Sequence, residues 1–256
     1  MNGLSGAIVT DNGDNTVTKR GGDASKTRAQ GAWLQQHASA ALPCVIELLD
    51  DGYTMEKLDE LEPLLVRAHD VTDMLRHEIW SRPPLTMPSV KSWTALKLKV
   101  VANITADAVR EKLRDSDVRI MNATHDAVQS AYDVPSALAH GDPTAENVML
   151  RRSSGKPVLI DPIESTEAVP DSPCVDIGKM FQSAYGWETA KYGVDMPTYS
   201  VKDIVSAVDD EKLVAGGRAW AVVHVVRALP YVGRNAPESL DRALGLLELA
   251  LRQGGY

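Results

Sequence analysis

Near the start of this chain apolar residues alternate with polar ones or gather in short runs, and later they recur at three- and four-residue steps. Alternation marks a strand with one buried face, and the longer step marks an amphipathic helix. Two short β-rich runs, 6–10 and 15–20, flank Asp11-Asn12-Gly13-Asp14, where Asn-Gly tolerates the positive φ of a tight hairpin. A helical stretch over 24–41 offers Ala29, Ala32, Trp33 and Leu34 for one face, and two further strands, 44–49 and 53–58, are joined by Asp50-Asp51-Gly52. Leu61, Leu64, Leu65, Ala68, Val71, Leu75 and Ile79 then predict a helix that stops before Arg82-Pro83-Pro84. Further helices are predicted over 89–113, 120–131, 177–185, 201–207, 212–229 and 237–253. Between them, 148–150 and 157–160 are short apolar runs able to pair antiparallel across Ser153-Ser154-Gly155. The pattern is α+β, with a small β-rich part followed by a large α-rich one.

The chemistry sits on that late pair of strands. Ala139-His140-Gly141-Asp142-Pro143 leads through Asn147 into the first strand, and Leu159-Ile160-Asp161 ends the second. Two aspartates and an asparagine thus converge where a strand-rich turn meets solvent. Phosphoryl transfer asks for such groups: one to orient the attacking hydroxyl, and hard oxygen ligands for a divalent metal. Asp142 suits the first task, and Asn147 with Asp161 the second. Read without that chemistry, Asp142 before Pro143 is a turn former and Asn147 a loop-capping amide.

At these residues the chain resembles the aminoglycoside phosphotransferase and choline kinase superfamily, which shares the protein-kinase-like fold. The family writes its catalytic loop as His-Gly-Asp with Asn five residues on, and its metal strand as Ile-Asp, and it often continues with Pro and then Asp-Ile-Gly-Lys. Asp161-Pro162 and Asp176-Ile177-Gly178-Lys179 stand in that order here. Several pieces in register are far more specific than one motif. The resemblance implies a bilobal fold, with a short β-rich N-lobe over 1–56 and a helical C-lobe over 57–256. It makes Lys19 the lysine that contacts the nucleotide phosphates. It makes Met55 the gatekeeper, with Glu56 C=O and Leu58 N–H as the adenine contacts. His140 and Asp176 become braces of the loop. The family's usual glutamate partner for the strand lysine is replaced by Gln30, with Glu47 as the other choice. Gly3, Ser5 and Gly6 fit either the remainder of a phosphate loop or a flexible terminus.

Composition narrows the function further. A net charge of −8 argues against a general nucleic-acid binder, and no run reaches the roughly 18 apolar residues of a membrane span. Cys44 and Cys174 have no paired-thiol or zinc spacing, so a reducing cytoplasm is expected. The expected activity is a magnesium-dependent transfer of the terminal phosphoryl group of ATP, or GTP, to a small-molecule hydroxyl. An amino sugar or other antibiotic, an amino alcohol and a sugar all fit as acceptor. The alternative is a catalytically idle, nucleotide-binding relative. Trp187, Tyr192 and Tyr199 are candidates for the acceptor rim or for packing. Asp203, Asp209, Asp210 and Glu211 are candidates for attracting a cation or for a solvated helix face.

Overall fold

A computed structural model describes residues 7–61, 66–87, 89–113, 117–163, 169–193 and 199–256. The candidate phosphate loop at Gly3 to Gly6 lies outside them. Two compact units emerge: Met1–Glu62 with Glu146–Glu164, and Pro63–Ala145 with Ser165–Tyr256. Residues 146–164, which follow the expected boundary at 56/57, cluster with the first unit.

The first unit holds a four-stranded antiparallel sheet of β1 (Ile8–Asp11), β2 (Thr16–Arg20), β3 (Val45–Leu49) and β4 (Gly52–Glu56) in the order β1-β2-β4-β3. The hairpin between β1 and β2 places its positive φ at Gly13 and Asn15. β2 lies between two partners, with Lys19 opposite Val9 and Tyr53. Its alternation therefore turns Val17 and Lys19 to the covered face, and Lys19 is only 6% exposed. Helix α1 (Ala24–Gln36), capped by Asp23 accepting from Lys26 N at 3.0 Å, buries Trp33 and Leu34 on that side. Gly31 lets the helix approach, because a Cβ there would come within 2.6 Å of the Tyr53 ring. A second small sheet orders β5 (Asp59–Glu60), β6 (Val148–Leu150) and β7 (Pro157–Leu159). β6 and β7 pair antiparallel, as the apolar runs predict, with Val148 opposite Leu159. Pairing of Asp59 with Leu150 ties this late segment to the first unit.

The second unit is helical. Its centre is the contact of α6 (Pro173–Ala184) with α9 (Glu211–Asn235), where Phe181, Ile177 and Trp220 are fully buried. Around them stand α2 (Ala68–Glu78), α3 (Val90–Ile104), α4 (Asp107–Leu113), α5 (Asp117–Tyr132), α7 (Trp187–Tyr192), α8 (Val201–Val208) and α10 (Leu240–Gly254). Three expectations need correction. Asp59–Glu60 form a strand, so the helix expected from Leu61 starts at Ala68. The stretch 89–113 is two helices. Buried positions step by four through Ser92, Leu96, Val100 and Ile104, then by five to Val109, so one helix cannot keep both sets inward. Finally, α9 runs past Pro230. A helical proline leaves the carbonyl four residues earlier without its donor. Asn103 Nδ2 supplies it, lying 3.2 Å from Val226 O. No helix among the described residues is long and apolar enough to cross a membrane.

Candidate functional site

In the first unit, Lys19 and Asp161 meet although 142 positions separate them, with Nζ 2.5 Å from Oδ1. Gln30 from α1 stands beside the pair. Its Oε1 is 3.4 Å from Lys19 Nζ, and its Nε2 donates to Pro162 O at 3.1 Å. Glu47 is exposed on β3. Of the two partners expected for the lysine, Gln30 makes the contact, while the opposing charge comes from Asp161. Asp161 follows β7 with φ 59, a left-handed conformation uncommon outside glycine and asparagine. Ile160 N donates to Asn147 O at 3.0 Å, so residues 147 and 160–161 are neighbours across the ends of β6 and β7. A carboxylate and a carboxamide oxygen are the hard donors Mg2+ takes, and that ion draws its remaining ligands from water and phosphate. The donor set fits. Among the described residues no group of three or more His, Cys, Asp or Glu is placed to hold a metal.

Met55 and Glu56 end β4, with Met55 buried opposite Val17 and Val45. The Glu56 carboxylate accepts from Arg151 Nη2 at 2.9 Å and from Cys44 N at 2.8 Å. Arg151 also donates to Ala40 O and Leu42 O at 2.8 and 2.6 Å, clamping the segment before β3. Leu58 is buried beyond the strand. Cys44 is exposed and Cys174 buried, and both thiols are free.

The second unit carries the loop. Gly141 adopts φ 85, and Asp176 on α6 accepts from both amides around it, His140 N at 3.1 Å and Gly141 N at 2.6 Å. Trp80 Nε1 donates to the same carboxylate at 2.8 Å. Burial pushes the Asp176 carboxyl up to about 7, against these hydrogen bonds, which favour its charged form. His140 is fully buried, and desolvation lowers it to about 4, opposed by the charge of Asp142. Its Nδ1 stands 3.4 Å from Asp142 N, in the accepting role of a neutral ring. Both residues brace the loop, as their place in the motif implies. Tyr199 O–H donates to Pro143 O at 3.0 Å, and Ser183 Oγ accepts from Ala145 N at 3.3 Å.

Asp142 itself faces Lys179, whose Nζ is 3.1 Å from Oδ1. Lys179 closes the Asp-Ile-Gly-Lys run, and nothing in the sequence pattern assigns it this partner. Its spacing of three from Asp176 on one helix was the available signal. Asp171, equally missed, accepts from Leu85 N and Thr86 N at 2.6 and 2.9 Å and holds the approach to the loop. Of the proposed rim, Trp187 and Tyr199 are packed inside, while Tyr192 is 44% exposed. Asp210 caps α9 by accepting from Lys212 N and Leu213 N, and Asp209 ends α8 at φ 47. Helix termination accounts for these two acids.

No family model matches the chain, and no curated protein sequence does either. Solved structures do. The streptomycin–ATP ternary complex of APH(2")-IIa aligns with TM-score 0.56 at 13% identity, over 94% of this chain and 90% of that one. A choline kinase from Streptococcus pneumoniae aligns with TM-score 0.58 at 12% identity, over 97% and 92%. The GDP complex of aminoglycoside 2'-phosphotransferase-IIIa aligns with TM-score 0.59 at 12% identity, over 96% and 89%. At such identities the likeness establishes the fold: a small β-rich lobe and a large helical one, kinase-like, of the type shared by aminoglycoside phosphotransferases and choline kinases.

Proposed function

We propose that this chain is a small-molecule kinase that moves the terminal phosphoryl group of ATP, or of GTP, to a hydroxyl of its substrate. The observation that carries this reading is the set of residues braced for it. Asp142 stands on a loop whose amides are held by the buried Asp176, and Asp161 pairs with Lys19 while the Ile160 N to Asn147 O bond keeps residue 147 next to 160–161. An idle relative would have no use for a base kept in position by a buried carboxylate.

In the first unit, Lys19 contacts the phosphates, and Met55, Glu56 and Leu58 line the base. Asn147 and Asp161 would hold the magnesium ion, which neutralises phosphate charge and aligns the terminal group. Lys19 exchanges Asp161 for phosphate oxygens when nucleotide arrives. In the second unit, Asp142 accepts a hydrogen bond from the substrate hydroxyl and takes its proton late in the transfer. The hydroxyl oxygen bonds to the γ-phosphorus, the bond from that phosphorus to the β–γ bridging oxygen breaks, and ADP leaves with the bond's electron pair. Because the transition state is loose, orientation and charge contribute more than the strength of the base. Lys179 holds the Asp142 carboxylate in place through their ion pair. A cytoplasmic setting, rich in nucleotide and kind to free thiols, accords with the reading.

The test is ADP formation with magnesium and ATP or GTP across amino sugars, amino alcohols, sugars and hydroxy acids. Acceptor-dependent release of ADP supports the reading. No release with any acceptor, from protein that binds no nucleotide by calorimetry, overturns it.

A further inference from the structure

One face of α6 follows the loop around Asp142 group by group. Asp176, Lys179 and Ser183 stand at steps of three and four along the helix, so their side chains leave it on one side. Asp176 takes His140 N and Gly141 N, Lys179 pairs with Asp142 Oδ1, and Ser183 Oγ accepts from Ala145 N at 3.3 Å. Between the last two, Tyr199 O–H donates to Pro143 O. The backbone is thus held on both sides of Asp142, by a carboxylate before it and by two hydroxyl groups after it.

A carboxylate can only accept, but a hydroxyl can do either. Serine carries one proton and two lone pairs, and the proton rotates to suit its surroundings. At Ser183 that direction is set from behind. Glu188, in the first turn of α7, places Oε1 2.5 Å from Ser183 Oγ and draws the proton to itself, which leaves the lone pairs of the hydroxyl for Ala145 N. A hydrogen bond to a carboxylate is roughly twice as strong as one between neutral groups, so the orientation is firm. Ser183 and Glu188 are both fully buried. A carboxylate gives up its hydration to stand there, and one use of such a buried polar pair is to fix a geometry that apolar packing leaves loose. The geometry fixed here is that of the loop.

We propose that Glu188 is a positioning residue for the phosphoryl transfer. By orienting the Ser183 hydroxyl it holds Ala145, and with Asp176 on the other side it sets where Asp142 meets the substrate hydroxyl. Its effect on turnover rests on the kinase reading above, while its hold on Ala145 does not.

Two measurements on Ser183→Ala, Glu188→Gln and the double variant test it. The first is hydrogen exchange of the Ala145 amide followed by NMR, which needs no turnover. Ser183→Ala should speed that exchange by about five- to tenfold, the loss of one hydrogen bond, while amides of the β1–β2 hairpin exchange as in the parent. Glu188→Gln, whose neutral amide can turn oxygen or nitrogen to the hydroxyl, should fall between the two. The second is acceptor-dependent ADP release. There kcat should drop about 10- to 100-fold in Ser183→Ala and less in Glu188→Gln, with KM for ATP within about twofold of the parent's, as a misplaced base implies. In both measurements, adding Glu188→Gln to Ser183→Ala should change nothing further, because Glu188 acts through that hydroxyl. Melting temperatures show which variants keep the fold, and if Ser183→Ala does not, Ser183→Cys, with a weakly accepting sulfur, takes its place. Exchange at Ala145 that is unchanged in the folded Ser183 variant, or parental in Glu188→Gln, overturns the proposal. So does an undiminished effect of Glu188→Gln in the double variant, or faster exchange with kcat unaltered. If the parent releases no ADP with any acceptor, the kinase reading has failed, and exchange at Ala145 still decides whether Glu188 holds the loop.

Discussion

Replacing Asp176 by Asn should change stability in a way that depends on pH, and with a definite sign. The carboxyl is buried on α6 and accepts three N–H donors, from His140, Gly141 and Trp80. Burial nevertheless pushes it up to about 7 from its ordinary value of 3.8. Between those pH values the folded protein keeps a proton that the unfolded chain has lost, so the native state binds more protons and stability falls as pH rises. At about 1.4 kcal/mol per pH unit, the part of the window between pH 5 and 8 removes roughly 2–3 kcal/mol from the parent. Asn cannot titrate and escapes this loss. It does present one oxygen where the carboxylate presents two, so one backbone donor loses its acceptor at a cost of about 1–3 kcal/mol. Urea denaturation of parent and Asp176→Asn at pH 5, 6, 7 and 8 should therefore show the variant weaker at pH 5, with the deficit shrinking by about 2–3 kcal/mol towards pH 8. A difference that stays level to within about 0.5 kcal/mol across the series would refute the reasoning, because it would mean that burial does not hold the proton.

Asp142→Asn should keep nucleotide binding and lower acceptor-dependent ADP release by about 10²- to 10⁴-fold, with turnover near the parent's counting against Asp142 as base. Asp161→Ala removes both the proposed metal ligand and the partner of Lys19, so calorimetry should show magnesium-dependent nucleotide binding lost; an unchanged titration contradicts the assignment. Gly31→Ala drives a Cβ to 2.6 Å from the Tyr53 ring. Overpacking of about 1–3 kcal/mol then outweighs the roughly 1 kcal/mol that alanine gains in helix propensity, and a urea midpoint at or above the parent's would show that the ring gives way freely. Asn103→Ala strips the donor that serves Val226 O, so the helix through Pro230 should lose about 1–2 kcal/mol by the same assay, and no loss would assign that carbonyl to water.

Much of the fold was legible because its signals are local. The β1–β2 hairpin, the pairing of 148–150 with 157–159 and the existence of most helices follow from spacing and turn residues. Errors came where a local pattern continued across a break in the structure. Apolar residues from Leu61 onward keep a helical rhythm although Asp59–Glu60 are needed as an edge for β6, and 89–113 reads as one helix because a single five-step slip is small beside the repeat. The helix expected over 212–229 continues past Pro230, where Asn103, far away in the chain, serves the carbonyl of Val226.

At the candidate site, the sequence alone determined which residue types stand in which order: an aspartate and an asparagine five apart, a second aspartate closing a strand, and a lysine on the hairpin. Those are properties of neighbours along a chain, and short-range geometry suffices to read them. Only the tertiary structure decided that Lys19 pairs with Asp161 and Asp142 with Lys179, and that Glu56 is tied to Arg151. Each of those facts depends on which distant segments share a low-dielectric interior, where the presence or absence of one partner sets the energy of a charge.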